Sequence, residues 1–114
     1  MAIQQLVDTD DASDRAIAER EVVLVNRSGL HARAAVWLAQ LAGEHDAAVV
    51  VAKDDQFADG RNPLELVLLD APAGTALHIT ATGRDASALV DELAALIECG
   101  FGEERSSPQR KDRF

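Results

Sequence analysis

Ten residues decide the fold, because they join a strand to a helix around one histidine: Asn26-Arg27-Ser28-Gly29-Leu30-His31-Ala32-Arg33-Ala34-Ala35. Before them, residues 21–25 (EVVLV) are mostly β-branched and predict a strand that ends in polar turn residues. After them, residues 32–42 contain many alanines and neither Gly nor Pro, and Gly43 follows. That pattern is typical of a helix with a glycine stop. The histidine therefore lies at a strand-to-helix junction.

The remaining patterns predict three more strands and two more helices. Strands are expected at residues 47–52, 56–58 and 76–82, and Asp54-Asp55 is a turn signal between the first two. Asn62-Pro63-Leu64-Glu65 supplies an N-cap, a first-turn proline and a capping-box glutamate, and so predicts a short helix. Asp85 is expected to cap the last helix, which ends at Gly100.

Two apolar stripes indicate which helix faces meet the core. They are Ala35, Leu38 and Ala42 on the first helix, and Leu89, Leu93, Leu96 and Ile97 on the last. The resulting order is β-α-β-β-α-β-α. We therefore expect an α+β fold in which three helices cover one face of a four-stranded antiparallel sheet.

Length and charge limit the functions that are open to the chain. With 114 residues we expect one domain at 19–102, between an acidic flexible leader at 1–18 and a polar tail at 103–114. The net charge is −9, and the acidic balance argues against nucleic acid and anionic membranes as partners. The single Cys99 excludes an internal disulfide. We found no membrane-length apolar run and no signal-peptide core, so we expect a cytoplasmic protein without membrane insertion.

His31 is the strongest candidate for chemistry. A residue just ahead of a helix meets unpaired backbone N–H groups and the positive end of the helix dipole, which disfavours a cationic imidazole and suits a phosphate. Arg33 can offer a fork of donors to phosphate oxygens. The junction residues Ser28, Gly29, Ala32 and Ala34 would form the phosphate-binding loop and helix start. The plainer alternative is that His31 is a surface histidine near a helix start.

The other reactive side chains give weaker signals. His45 and His78 are expected to be solvated, and Cys99 to be structural. Neither metal-ligand spacing nor a nucleotide fingerprint is present, so we expect no metal and no cofactor. The substrates should then be other proteins.

Residues 29–35 (GLHARAA) resemble the active-site signature of the HPr family, the histidine-containing phosphocarriers of the bacterial phosphoenolpyruvate-dependent phosphotransferase system. The likeness extends over about residues 20–102 and includes Gly74-Thr75 and the ending at 97–102 (IECGFG). It implies an HPr-like open-faced β-sandwich. It also implies that His31 accepts a phosphoryl group on Nδ1 from phosphorylated enzyme I, with help from Arg33, and passes it to an enzyme IIA. The protein would be a monomeric carrier and not an enzyme.

The chain departs from the family pattern at three places. Ala34 stands where a proline usually follows the arginine, and Asn62 stands where many members carry a regulatory serine. We therefore expect no serine-type regulation at that position. Gln40, Gly43 and Glu65 occupy positions where lysines are common.

The missing lysines suggest a different partner surface. Val36, Trp37 and Leu64 lie off the core stripes, and we expect them to form an apolar patch beside His31 that contacts partners. Alternatively, Trp37 packs over the edge of the domain.

Two other functions remain open from the sequence. One is a regulatory HPr-like binding module with weak or no phosphotransfer, and the other is an unrelated α+β ligand-binding domain. Sugar uptake, a nitrogen-type relay and a kinase-linked relay are not separated by the residues.

Overall fold

A computed structural model describes residues 16–103, and within them the elements follow the expected order. The strands and helices are β1 (Ile17–Val23), α1 (Ala32–Gly43), β2 (Ala48–Lys53), β3 (Gln56–Asp59), α2 (Pro63–Leu68), β4 (Ala76–Thr82) and α3 (Ala86–Glu98). A short 3-10 turn, Gly100–Gly102, comes after α3.

The four strands form one antiparallel sheet in the order β1-β4-β2-β3. Along β1, Ile17 lies opposite Thr82 and Val23 opposite Ala76, so the whole of β4 is paired. The β2–β3 hairpin turns at Asp54, whose φ of 54° is left-handed. The prediction of an open four-stranded antiparallel sheet with three helices is confirmed.

The core lies between one face of this sheet and the helices. Both predicted helix stripes are buried, and so are alternate residues of β4, while His78 and the other intervening residues face outward. The largest fully buried apolar side chains are Leu24, Leu38, Leu66, Leu77, Ile79, Leu89, Leu93, Ile97 and Val51. The alanines that α1 turns toward the core are buried, and the amide of Leu30, just before the helix, bonds the Ala71 carbonyl in the loop before β4.

The first strand differs from its prediction at both ends. It was expected at residues 21–25 but spans Ile17–Val23, and the expected leader at 1–18 is therefore wrong for Ile17 and Ala18. The cause is the length of β4, which provides seven partners and extends β1 toward its N-terminus. Val22 is the one buried residue of β1, so burial produces little apolar alternation there to signal a strand. The leader's residues 1–15 and the tail's residues 104–114 lie outside the described region.

The helix caps follow the predicted positions with two changes in their bonds. Asn62 caps α2 by accepting from the amides of Leu64 and Glu65 at 3.0 and 3.3 Å. The Glu65 carboxylate does not accept from the backbone amide of Asn62, as a capping box would require; it accepts from the backbone amide of Asp59 at 2.8 Å and from Nδ2 of the Asn62 side chain at 3.4 Å. Asp85 stands at the N-cap of α3 without a capping bond. Its carboxylate accepts instead from the backbone of Asp46 at 2.8 Å, which ties α3 to the loop before β2.

Candidate functional site

The loop that carries the histidine is fixed by the loop between α2 and β4. The amide of Leu30 donates to the carbonyl of Ala71 at 2.9 Å, and the amide of Leu24 donates to Thr75 at 2.9 Å. Gly29 lies between these bonds with a φ of +65°. A Cβ added there would overlap the Ala71 carbonyl oxygen and lie 2.8 Å from Cα of Pro72. Only glycine fits both the dihedral angle and the space, so the position of the following residues is closely defined.

His31 is the N-cap of α1, with extended backbone (φ −84°, ψ −179°). Its Nδ1 accepts a hydrogen bond from the amide of Arg33 at 3.3 Å. The ring thus does what an Asn or Ser side chain does at an ordinary N-cap. An Nδ1 that accepts is unprotonated, so its lone pair is directed at the start of the helix.

The opposite side of the ring contacts a residue that the sequence did not single out. Nε2 of His31 lies 2.8 Å from Oε2 of Glu103, and the second carboxylate oxygen accepts from the amide of Ser28 at 3.3 Å. Glu103 was expected to belong to the polar tail at 103–114, and that is wrong for this residue. Its side chain is 19% exposed, and it spans the ring and the loop.

The carboxyl of Glu103 is held in its charged form. Burial raises the pKa of this group, but hydrogen bonds to His31, Asn26 and Ser28 outweigh burial and bring the pKa below its ordinary value of 4.5. Asn26 is fully buried and donates from Nδ2 to the carbonyl of Gly29 at 2.8 Å. Its Oδ1 has no hydrogen-bond partner within residues 16–103. The buried asparagine therefore holds the loop underneath the histidine.

The helix start keeps backbone amides free, and two of them belong to residues of the predicted set, Ala32 and Ala34. Ser28 and Gly29 already use their amides, the latter on the carbonyl of Asn26 at 3.1 Å. The amides of Ala32 and Ala34 make no hydrogen bond to the described part of the chain, and that of Arg33 bonds only the His31 ring. An anion at Nδ1 would therefore meet amides of the first helical turn.

The basic side chains without a partner in the described region are both close to His31 in sequence. Residues 16–103 contain six Lys and Arg residues. Four of these side chains contact carboxylates or backbone carbonyls: Arg20, Lys53, Arg61 and Arg84. Arg27 and Arg33 are exposed and have no partner in this region. Both lie within four residues of His31 in the chain, so the free guanidinium groups of an acidic domain lie next to its histidine in sequence.

The residues predicted to form an apolar patch are exposed on α1 and α2. Val36 and Trp37 of α1 are 42% and 43% exposed, and Leu64 of α2 is 66% exposed. Leu68 at the end of α2 is also exposed and was not foreseen. The Trp37 ring also borders Gly102, since a Cβ there would lie 3.4 Å from it. Trp37 therefore packs on the terminal turn while part of its ring stays open to solvent.

A cleft of ≈ 460 Å³ reaches the histidine from the side of the α2–β4 loop. Its walls include Ser28, His31, Val67 and Asp70. The other two histidines lie elsewhere, each paired with a glutamate: His78 with Glu19 at 2.8 Å, and His45 with Glu92 at 3.1 Å. Neither of these pairs is part of the junction.

Residues 16–103 contain neither a metal-binding cluster nor a membrane-spanning helix. No group of three or more His, Cys, Asp or Glu side chains there could hold a metal ion. Each helix in the same stretch is too short or too polar to cross a bilayer.

Comparison with known proteins agrees with the fold. Residues 18–99 match the family model PTS-HPr, described as the PTS HPr component phosphorylation site. The phosphocarrier protein NPr of Shewanella violacea is 38% identical over 85 residues, covering 75% of this chain and 93% of that protein. The phosphocarrier protein HPr of Cupriavidus necator is 33% identical over 85 residues, covering 75% and 96%.

Solved structures give the same result. HPr-C-His from Thermoanaerobacter tengcongensis superposes with a TM-score of 0.73 at 30% identity, over 76% of this chain and 98% of that one. The fold and these matches thus define a phosphocarrier of the phosphotransferase type. The chain belongs to the HPr family.

Proposed function

We propose that the protein carries a phosphoryl group on Nδ1 of His31, accepts it from phosphorylated enzyme I, and passes it to an enzyme IIA-type acceptor. The observation that carries this proposal is the environment of Nδ1, whose lone pair faces the Arg33 amide at the N-terminus of α1. A nucleophile and an anion-binding helix start therefore share one place.

In the chemical step, the protein mainly positions the His31 nucleophile and the donors that bind the phosphoryl oxygens. The Nδ1 lone pair forms the new N–P bond while the bond from phosphorus to its donor atom breaks, and the donor keeps that electron pair. The phosphoryl oxygens then take the amides of Ala32, Arg33 and Ala34, and the Arg33 guanidinium pairs with them. Since helix-end effects contribute only about 0.3–1 kcal/mol, the driving force must come from the phosphorylated donor.

The replacement of the usual proline by Ala34 leaves the first turn of α1 formed. Ala34 is 1% exposed, the helix begins at Ala32, and the amide of Ala35 donates to the His31 carbonyl at 2.8 Å. An intact helix start favours transfer over the alternative, a regulatory module with weak or no phosphotransfer.

In this proposal, partner proteins bind through apolar contacts on α1 and α2 and through the two arginines that have no partner in the described region. Val36, Trp37, Leu64 and Leu68 would be covered by enzyme I and the acceptor, and Arg27 and Arg33 would face acidic or phosphorylated groups. The relay would take place in the cytoplasm, with the protein acting as a monomer whose exposed patch is left for its partners.

The test is phosphorylation by a cognate enzyme I with Mg²⁺ and phosphoenolpyruvate. We expect an acid-labile mass increase of one phosphoryl group in the wild type and none in His31→Ala. His78→Ala is the matched control and should be labelled like the wild type, because His78 lies on the open face of the sheet. Phosphorus NMR should assign the group to Nδ1. Failure of a competent enzyme I to label the wild type would overturn the proposal.

The same assay addresses the pathway. Both an NPr and HPr proteins are among the relatives, so a nitrogen-type and a sugar-type relay are each candidates. Comparing phosphorylation rates with sugar-type and nitrogen-type enzyme I from the host should show a preference for one of them.

A further inference from the structure

We propose that Glu103 is a positioning residue for His31, and that its carboxylate holds the neutral ring with the proton on Nε2 and reserves Nδ1 as the nucleophile. The part of this inference that concerns phosphoryl transfer rests on the proposed function. The part that concerns the ring does not.

The geometry fixes the ring from two sides. On one side Oε2 of Glu103 lies 2.8 Å from Nε2. On the other side the Arg33 amide donates to Nδ1 at 3.3 Å. A backbone amide can only donate and a charged carboxylate can only accept, so both contacts select the same tautomer. The ring is 32% exposed, which leaves room for a phosphoryl group to approach.

The chain is turned back toward the ring by an unusual segment after α3. Gly100, Phe101 and Gly102 all have left-handed dihedrals, with φ of 74°, 55° and 71°. Phe101 is 2% exposed and secures the turn in the core, and the Glu103 amide donates to the Gly100 carbonyl at 2.9 Å. A non-glycine residue in this conformation persists only where its surroundings require it. Here the burial of the Phe101 side chain holds the residue in this conformation, and the turn directs Glu103 at the histidine loop.

The carboxylate also suits the charge that transfer creates. When Nδ1 forms its bond to phosphorus and the ring keeps its Nε2 proton, the imidazole becomes formally cationic. Glu103 is ionised and in contact with that proton, so it stabilises the phosphorylated ring more than the free one. When the group leaves for the acceptor, the electron pair returns to Nδ1 and the original tautomer is restored. No other reactant is needed.

The first experiment tests the ring without any phosphorylation. Imidazole nitrogens labelled with ¹⁵N are followed by NMR at about pH 8, above the ordinary titration range of the imidazole side chain. In the wild type we expect His31 to have a protonated Nε2 whose proton is slow to exchange with water. In Glu103→Ala that proton should exchange rapidly and the two tautomers should mix. Glu103→Gln keeps an acceptor oxygen and should retain the tautomer.

The chain contains its own control for this measurement. His78 and Glu19 form a pair with the same 2.8 Å contact on the open face of the sheet. The His78 signals should not change in either Glu103 variant, and Glu19→Ala should alter His78 alone. If His31 in Glu103→Ala keeps the protection and tautomer of the wild type, Glu103 does not position the ring and the proposal is wrong.

The second experiment measures transfer from phosphorylated enzyme I. We expect Glu103→Gln to slow phosphorylation by about tenfold, the effect of losing one charge-assisted hydrogen bond. Glu103→Ala should be at least as slow, and Glu19→Ala should match the wild type. Unchanged rates in both Glu103 variants would refute the transfer role even if the tautomer moves. A wild type that is not phosphorylated at all would refute the proposed function, while the NMR result would still decide the role of Glu103.

Discussion

Replacing Gly29 by alanine tests whether the histidine loop is held in place by steric fit. The substitution carries two costs that the structure separates. The left-handed backbone at φ +65° costs a residue with a Cβ about 1–2 kcal/mol. The new methyl group also overlaps the Ala71 carbonyl oxygen, which must withdraw and weaken its bond from Leu30 by about 1 kcal/mol. We expect the free energy of unfolding to fall by about 3 kcal/mol.

Two other glycines serve as references for Gly29→Ala. The free energy of unfolding of each variant is measured by urea titration followed by circular dichroism. Gly74 has a φ of +90° but open space around it, so Gly74→Ala should show the dihedral cost alone, about 1–2 kcal/mol. Gly43 lies in α1 with open space and no positive φ, and Gly43→Ala should stabilise by about 0.5–1 kcal/mol.

The phosphorylation assay adds a second measurement, because displacement of the loop moves His31 from the helix start. Gly29→Ala should be labelled more slowly than Gly74→Ala even where both are folded. If Gly29→Ala unfolds within about 0.5 kcal/mol of Gly74→Ala, close packing against Ala71 and Pro72 does not hold the loop.

Three further predictions follow from the caps, the patch and the carboxylate. Asn62→Ala should lower the free energy of unfolding by about 1 kcal/mol, because two amides of α2 lose their acceptor, whereas Asn62→Asp should restore it. Equal melting temperatures for Asn62→Ala and the wild type would contradict the cap. Trp37→Ala should weaken binding to enzyme I several-fold by calorimetry, while Phe57→Ala, an exposed aromatic on β3, should not. Unchanged binding in Trp37→Ala would remove the patch from the interface. The pKa of Glu103 is lowered on folding, so its stabilising effect is present above its ordinary value of 4.5 and is lost as pH falls through the folded value. Wild type and Glu103→Gln should therefore differ in urea midpoint at about pH 7, and the difference should shrink as the pH falls below 4.5; a constant difference would contradict this.

Most elements of the fold could be predicted from local sequence patterns. Asn62-Pro63 marks the start of α2 because capping depends on neighbours in the chain. β4 spans residues 76–82, as predicted. One of its faces is buried and the other is open, so apolar and polar residues alternate along its sequence. His31 was likewise visible, since a histidine between a glycine turn and an alanine-rich helix is itself a local pattern.

The missed features depend on contacts between distant segments. Glu103 meets His31 across 72 positions, and the residue itself carries no sequence signal that it returns to the junction. The IECGFG ending at residues 97–102 contained the only available hint, because two glycines around an apolar residue can reverse a chain. β1 was placed too late for the same reason, as its extent is set by β4, its partner.

The contact between His31 and Glu103 also has a consequence for biosynthesis. The ribosome releases residue 31 long before residue 103, and a contact over 72 positions forms only after the intervening strands and α3 are in place. An unfinished chain can expose the histidine on a partly formed helix, but it lacks the carboxylate that completes the ring's surroundings. The order of synthesis would then delay a fully oriented histidine until the domain around it has been made.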